Sequence, residues 1–465
     1  MILSSRLVLT AATLAGAAAV SGCAPTLRAL PASAVVQPSL EWRTELPATE
    51  KLEHSWWQRF GDARMVALVE KARENNPDIL LAAARVEEAR ATEAVSRSLL
   101  LPTIEAGVAG GAQREVSAFG LGQNALVAEP AFRASYEVDL FGKNRANIDA
   151  AQAGVAASEA SQEAASLSVS AATASGYVSL LALDARRKVL SDTLELRAQA
   201  LKFARDRAEV GYTSQLEWRQ AQAEYQATAQ LVPQIEAQIA RQENALSVLT
   251  GEMPGDIIRG GSLSDLQQPS APDVIPSQLL RLRPDIAAAE YQLAASDAQM
   301  RAARAGFMPS LGLSASAGAA ISDLLGDPIS IWSIGGSLLA PIFNAGRLQG
   351  QFDAATARRD QAAFAYRSTV LNAFREVEDR LTVVARLGDQ QRAVEAQRAA
   401  VADALRHARN RYRAGYTPYI EQVDAQRSLL GVELSLVQLE ADQINAIIGL
   451  YQAVGGAPDT RAAVD

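Results

Sequence analysis

Two hydrophobic periods alternate along the chain. From Lys143 to the turn Val210-Gly211-Tyr212-Thr213-Ser214 there is no proline, and the residues are mainly Ala, Ser, Glu, Gln, Arg and Leu. All are good or tolerable helix formers. The pattern predicts one helix over Lys143–Val210, about 100 Å long at 1.5 Å per residue. A helix of that length cannot be buried in a compact domain, so an extended helical assembly is expected. Just before it the period falls to two. Phe132, Ala134, Tyr136, Val138 and Leu140 share one face, and Arg133, Ser135, Glu137 and Asp139 share the other. That is a strand with an apolar and a wet side, about as long as a tilted membrane strand. Thr103–Gln113 alternates more weakly through Ile104, Ala106 and Val108. Pro309–Ala319 and Ile331–Ala340 repeat the pattern through Leu311 and Leu313, and through Trp332, Ile334 and Leu338. Two hairpins are predicted, linked by Arg114–Pro130 and Ala320–Pro328.

The chain is internally duplicated. Gly211-Tyr212-Thr213 recurs as Gly415-Tyr416-Thr417, Pro77-Asp78-Ile79 as Pro284-Asp285-Ile286, and Leu101-Pro102-Thr103 as Met308-Pro309-Ser310. Landmarks in one order at a near-constant offset define a unit of about 205 residues, too long for a solenoid repeat. The expected layout is a first repeat over 63–254, a linker over 255–281 and a second repeat over 282–455. The first holds a hairpin at about 103–141, a long helix 143–210 and a return helix 214–250. The second holds a hairpin at about 309–341, a long helix 346–413 and a return helix 417–453. Four strands cannot close a barrel, and lipid does not tolerate open strand edges, so other subunits must complete it. A dimer gives eight strands and a trimer twelve; the pattern does not choose.

The return helices differ. In Tyr419–Tyr451 one heptad seam runs through Ile420, Val423, Leu430, Leu434, Val437, Ile444, Ile448 and Tyr451. A second runs through Leu429, Val432, Leu436, Leu439 and Leu450. Two seams roughly 160° apart suit a helix with neighbours on both sides. Gln215–Leu249 keeps mainly one seam, and Pro233 should bend it.

Composition narrows the function. The net charge of −8 makes nucleic acid an unnatural partner. The two histidines, His54 and His407, lie far apart, and there is no second cysteine and no cluster of metal ligands. No enzyme is expected: no catalytic residue, metal or cofactor is assigned. Arg6 precedes the apolar run Leu7–Val20, which ends in Ser21-Gly22-Cys23. This has the form of a signal peptide over 1–22. Residues 23–62 then read as an extended segment, with Pro25, Pro31, Pro38 and Pro47. Trp56 and Trp57 are expected to pack against the body of the protein. Residues 456–465 form a tail.

Val20-Ser21-Gly22-Cys23 resembles a bacterial lipobox, which implies a covalent lipid (diacylglycerol and N-acyl) on Cys23. Ala24 in place of Asp implies sorting to the outer membrane. The run from Leu282 to Glu290, the Phe307-Met308-Pro309 junction and the paired Gly-Tyr-Thr turns with Ala-Gln downstream resemble the outer-membrane efflux protein family. The likeness is to its NodT-like lipoprotein branch of TolC/OprM-like outer membrane factors, and it covers nearly the whole mature chain. It implies a mainly α fold with membrane β, built from two structural repeats. A homotrimer would form a 12-stranded barrel continued by a long periplasmic α-helical barrel. The implied function is the exit duct of a tripartite efflux system, in the outer membrane of a Gram-negative bacterium. The implied partners are a periplasmic adaptor, an inner-membrane pump of the proton-driven RND type and outer-membrane lipid. Two other readings are a lipid-anchored periplasmic coiled-coil scaffold and the exit duct of a type I protein secretion system. By the same resemblance Gly211, Tyr212, Thr213, Gly415, Tyr416 and Thr417 are the tips that meet the adaptor. Glu217, Ile420 and Asp424 would form the periplasmic gate, with Arg219 and Arg427 near enough to offset their charge.

Overall fold

The computed structural model describes residues 25–456, apart from 38, 45–47, 51–53, 117–119, 121, 274 and 325. The segment 1–22 read as a signal peptide, Cys23 and the residues beyond Gly456 lie outside the described residues. The chain forms two units. One comprises Ala84–Glu159 and Ala288–Ser368 with the N-terminal segment up to Val36; the other comprises Gln37–Ala83, Ala160–Ala287 and the chain from Thr369.

The first unit holds a four-stranded antiparallel sheet. Its strands are β2 (Thr103–Val116), β3 (Gly122–Val138), β5 (Ser310–Ser322) and β6 (Ile329–Leu339), in the order β2-β3-β5-β6; the short strands β1 (Ala48–Glu50) and β4 (Ala271–Pro272) pair in parallel in the second unit. The first hairpin is longer than the alternation suggested. The segment read as a link over 114–130 is mostly strand, and Pro130 lies inside β3, opposite Val108. Proline is tolerated there because the ladder from β3 to β5 skips Glu129 and Pro130, resuming at Ala131 opposite Gly318. The backbones come so close that a Cβ on Gly318 would lie 2.2 Å from the Pro130 carbonyl oxygen.

The register puts apolar residues on one face. Ile104, Ala134, Ala315 and Ile334 lie in one row across the sheet, and Ala106, Phe132, Ala317 and Trp332 in the next. The opposite face carries rows such as Thr103, Ser135, Ser314 and Gly335, or Glu105, Arg133, Ser316 and Ser333.

Short helices lead into each hairpin and long ones leave it. Helices α1 (Ala63–Asn75) and α2 (Pro77–Ser98) precede the first; α6 (Pro276–Leu282) and α7 (Pro284–Ala305) precede the second. The long helices are α3 (Lys143–Glu209) and α8 (Arg347–Arg413), each of 67 residues, so the duplication holds to the residue. The Asp139 carboxylate caps α3, accepting from the amides of Asn144 (3.1 Å) and Arg145 (2.9 Å). One stretch of α3 is apolar enough to cross a membrane by length and composition, but 56% of it is buried in the fold.

The return helices are not alike. The first is two helices, α4 (Gln215–Ala229) and α5 (Leu231–Leu249), separated at Gln230, where a single helix over 214–250 was expected. The break places Pro233 in the first turn of α5, where its missing N–H would have had no helical partner. The second return helix, α9 (Tyr419–Ala453), is unbroken.

The second unit has an aromatic core. Trp56, Trp57, Phe60, Met65 and Val69 pack on Tyr177, Leu181, Ile444, Ile448 and Tyr451. Trp56 stacks on Tyr451 with centroids 5.6 Å apart and planes 11° apart. The twin tryptophans are thus core residues. Arg283 ties α9 to the start of α7: it donates to the Ala453 carbonyl at 2.8 Å and pairs with Asp285 (2.7 Å) and Glu376 (2.9 Å).

Candidate functional site: a membrane sheet, twin turns and an exposed helix stripe

The sheet is the first functional feature. Ile104, Val108, Phe132, Trp332, Ile334 and Leu338 all stand exposed on its apolar face. A soluble sheet buries such a face against a second layer; here nothing among the described residues covers it. Strands β2 and β6 each pair on one side only, so the sheet has two open edges and one greasy face. Lipid would satisfy the face, and neighbouring strands would satisfy the edges.

The twin turns are built alike. Gly211 has φ +78° and Gly415 φ +79°. The Tyr212 amide donates to the Arg207 carbonyl at 2.8 Å, and that of Tyr416 to Arg411 at 2.9 Å. Both are Schellman-type ends, in which glycine takes the left-handed position without a Cβ penalty. Tyr212 and Tyr416 project into solvent, while Thr213 Oγ1 and Thr417 Oγ1 are enclosed and lack a hydrogen-bond partner.

Beyond the second turn, α9 presents three faces. Val423, Ile444, Ile448 and Tyr451 of one seam are buried, and so are Val432, Leu439 and Leu450 of the other. The third face is exposed and mostly small or polar: Ile420, Asp424, Arg427, Gly431, Ser435, Gln438 and Asp442. Ile420, 38% exposed, belongs to this stripe and not to a packing seam. Ile420 and Asp424 lie four residues apart on it, one helical turn. Glu217, on α4, accepts a hydrogen bond from the Tyr412 hydroxyl at 3.0 Å. Burial, and then that bond, push Tyr412 up to about 12.

Of the two expected charge partners, Arg427 reaches Asp424 at 3.6 Å. Arg219 does not serve Glu217; it lies over the Trp218 ring at 4.3 Å and donates to Gln222. The strongest cluster nearby involves residues that the sequence did not single out. Glu224 and Arg197 are both buried and pair at 3.2 Å. Arg197 also donates to the Glu224 carbonyl at 2.7 Å and to the Thr228 hydroxyl. Arg427 closes on the same Glu224 carboxylate from α9. One carboxylate therefore joins α3, α4 and α9. No group of residues that could hold a metal ion occurs among the described residues.

The comparisons with known proteins agree with this geometry. A family model described as outer membrane efflux protein matches residues 68–252 and 275–456, the two repeats in turn. The chain belongs to the outer membrane efflux protein family. It is 30% identical over 449 residues to the pyoverdine export outer membrane protein OpmQ of Pseudomonas putida, covering 93% of each chain. It is 33% identical over 414 residues to the solvent efflux pump outer membrane protein SrpC of Pseudomonas putida, covering 85% of this chain and 86% of the other. The solved Campylobacter jejuni CmeC outer membrane channel superposes with a TM-score of 0.83 at 25% identity, over 93% of this chain and 94% of that one.

The efflux-family fold explains the open sheet: it is the membrane part of an outer-membrane channel, and the long helices are its continuation. The protein is the outer-membrane channel of an efflux system, and its relatives are transport channels.

Proposed function

We propose that three copies of this chain close one duct. Each contributes four strands to a 12-stranded barrel, and the long helices continue it as a periplasmic tunnel. The duct is passive and carries out no chemical reaction. Cargo arrives from an inner-membrane pump, of the proton-driven RND type, through a periplasmic adaptor. The adaptor meets the exposed tips Gly211-Tyr212-Thr213 and Gly415-Tyr416-Thr417. Cys23 carries the lipid that anchors the mature N-terminus. Ile420 and Asp424 form rings at the narrowest point, with Glu217 nearby.

The observation that carries the reading is the sheet, with one apolar face, one small and polar face, and open edges at β2 and β6. A helical scaffold has no use for such a sheet. A small, polar inner wall suits a water-filled duct that does not select its cargo by binding. Pyoverdine and solvent, named for two relatives, share little chemistry, which fits a duct whose cargo is chosen by its pump.

Planar-bilayer recording on the purified protein tests the duct. Discrete conductance steps from a species of three chains are expected. A species of three chains that never conducts would favour the scaffold reading. Deleting the gene for a neighbouring RND-type pump should abolish export; export that persists and follows a secreted protein would favour the type I reading.

A further inference from the structure

The N-terminal segment is gripped by two arginines. Arg359 of α8 is 2% exposed by side chain, among the most deeply buried groups in the molecule. Its nearest carboxylate, Asp360, is its chain neighbour and takes Nε at 3.1 Å and Nη2 at 2.7 Å. The other bonds go to main chain: Nη1 donates to the Arg28 carbonyl and Nη2 to the Ala29 carbonyl at 3.2 Å. At the last turn of α7, Arg304 Nε donates to the Pro25 carbonyl at 2.9 Å. All these groups lie in one unit. An extended segment has no helical or sheet partners for its carbonyls, and a planar guanidinium can serve two adjacent ones at once. Lysine, with one point charge, cannot do so in a fixed plane.

We infer that Arg304 and Arg359 are positioning residues that clamp the segment after Cys23, and so fix where the lipid leaves the protein. The clamp stands on geometry alone; its consequence for the lipid rests on the acylation proposed for Cys23. Pro25 follows Cys23 by two residues of sequence, so a lipid on Cys23 would be linked to the clamped segment by at most about 7 Å of chain. Arg304 stands six residues before the start of β5. The clamp at Pro25 thus lies at the helix end that feeds the sheet, which is where it would hold the tether of a lipid on Cys23.

Trypsin supplies the test, because the carbonyl held by Arg359 belongs to the Arg28–Ala29 bond it would cut. The full acylated protein in detergent should resist cleavage there, since a protease must first pull that carbonyl away. Arg359→Gln should speed cleavage at Arg28 at least tenfold, Arg359→Lys by less, and Arg304→Gln by less again. Equal cleavage rates in the parent and Arg359→Gln overturn the clamp. Should Arg359→Gln fail to fold by circular dichroism, Arg304→Gln decides alone: faster cleavage supports the clamp and an unchanged rate overturns it. The released Cys23–Arg28 peptide is then weighed. An acyl mass supports the placement of the lipid. An unmodified peptide overturns the Cys23 reading while leaving the clamp result standing.

Discussion

The two Gly-Tyr-Thr turns and the two return helices that follow them carry opposite lessons. The turns are copies: glycines within a degree of each other in φ, the same hydrogen bond behind them, the same exposed tyrosine after them. The helices are not. The first breaks at Gln230 and meets its neighbours through a buried charge. The second runs 35 residues unbroken and buries two apolar seams. Duplication supplied one turn twice, and the two turns have stayed alike. The paths behind them have diverged: one return helix is interrupted at Gln230 and the other is continuous.

The largest effect on this asymmetry should come from Glu224. Glu224→Leu leaves the buried Arg197 guanidinium without its carboxylate. Such one-sided removals cost about 3–5 kcal/mol. Amide exchange along Gln215–Ala229 should rise accordingly, with α9 little changed. Arg427→Leu touches the same carboxylate from a side chain 56% exposed, so it should cost about 1 kcal/mol or less. Replacing Arg197 by Met together with Glu224→Leu should recover much of the loss. Equal exchange in the parent and Glu224→Leu would show that the charge does not hold the first return helix.

Next come the glycines, where the comparison predicts equality. Gly211→Val and Gly415→Val each force a β-branched residue into the left-handed region, at about 1–2 kcal/mol apiece. A Cβ at either site meets nothing within 4 Å, so the cost is backbone strain and not collision. Matching shifts in local amide protection are expected at the two turns. Export in a sensitive susceptibility assay should weaken for both variants while the oligomer survives. A clear difference between the two would mean that something besides the shared backbone distinguishes the tips.

These residues also mark how far sequence reading reached. The turns were legible because Gly-Tyr-Thr occurs twice at the repeat offset, and a positive φ leaves few residues to choose from. The strands were legible where large apolar residues alternate, as in Phe132–Leu140. Their extent was not, because the polar and small residues over Arg114–Pro130 read as a link, whereas the register pairs most of them as strand. The Arg197–Glu224 pair was invisible for a different reason. A charge on a long helix is normally solvated, and only packing reveals one that is enclosed. Arg219 and Arg427 were both expected to offset the gate carboxylates; Arg427 reaches Asp424 three residues away, whereas Arg219 turns to Gln222, because neighbours on a helix face each other three or four apart.

A smaller effect is expected at the joint itself. Pro233→Ala restores an N–H that could bond the Ala229 carbonyl and fuse α4 with α5. The variant gains up to about 1 kcal/mol from that bond and loses about 0.4–1 kcal/mol through a freer unfolded chain. Net stability should barely move, while amides around Gln230 and Pro233 become protected. The first return helix would then resemble the second. If those amides still exchange freely, the break is set by the packing around Thr228 and not by proline.

The last prediction has no expected effect on stability, which is what makes it informative. Ile420 and Asp424 lie on the exposed face of α9, so Ile420→Ala with Asp424→Ser removes little packing. The Asp424 bond to Arg427 is exposed at both ends and contributes about 1 kcal/mol at most. Arg427 retains Glu224 as a partner. Under threefold symmetry the two positions would make an apolar ring and a carboxylate ring one helical turn apart. The first disfavours water at a constriction and the second favours cations over anions. The double variant should therefore keep the parent's oligomer and amide protection, yet conduct more in a planar bilayer at constant salt, with weaker cation preference. Glu217→Gln should change conductance less, because Glu217 is held by Tyr412 and lies off the stripe. A double variant that conducts like the parent, in the same oligomer, would place the constriction elsewhere along the stripe. Arg427, Gln438 and Asp442 are the other large polar side chains on it.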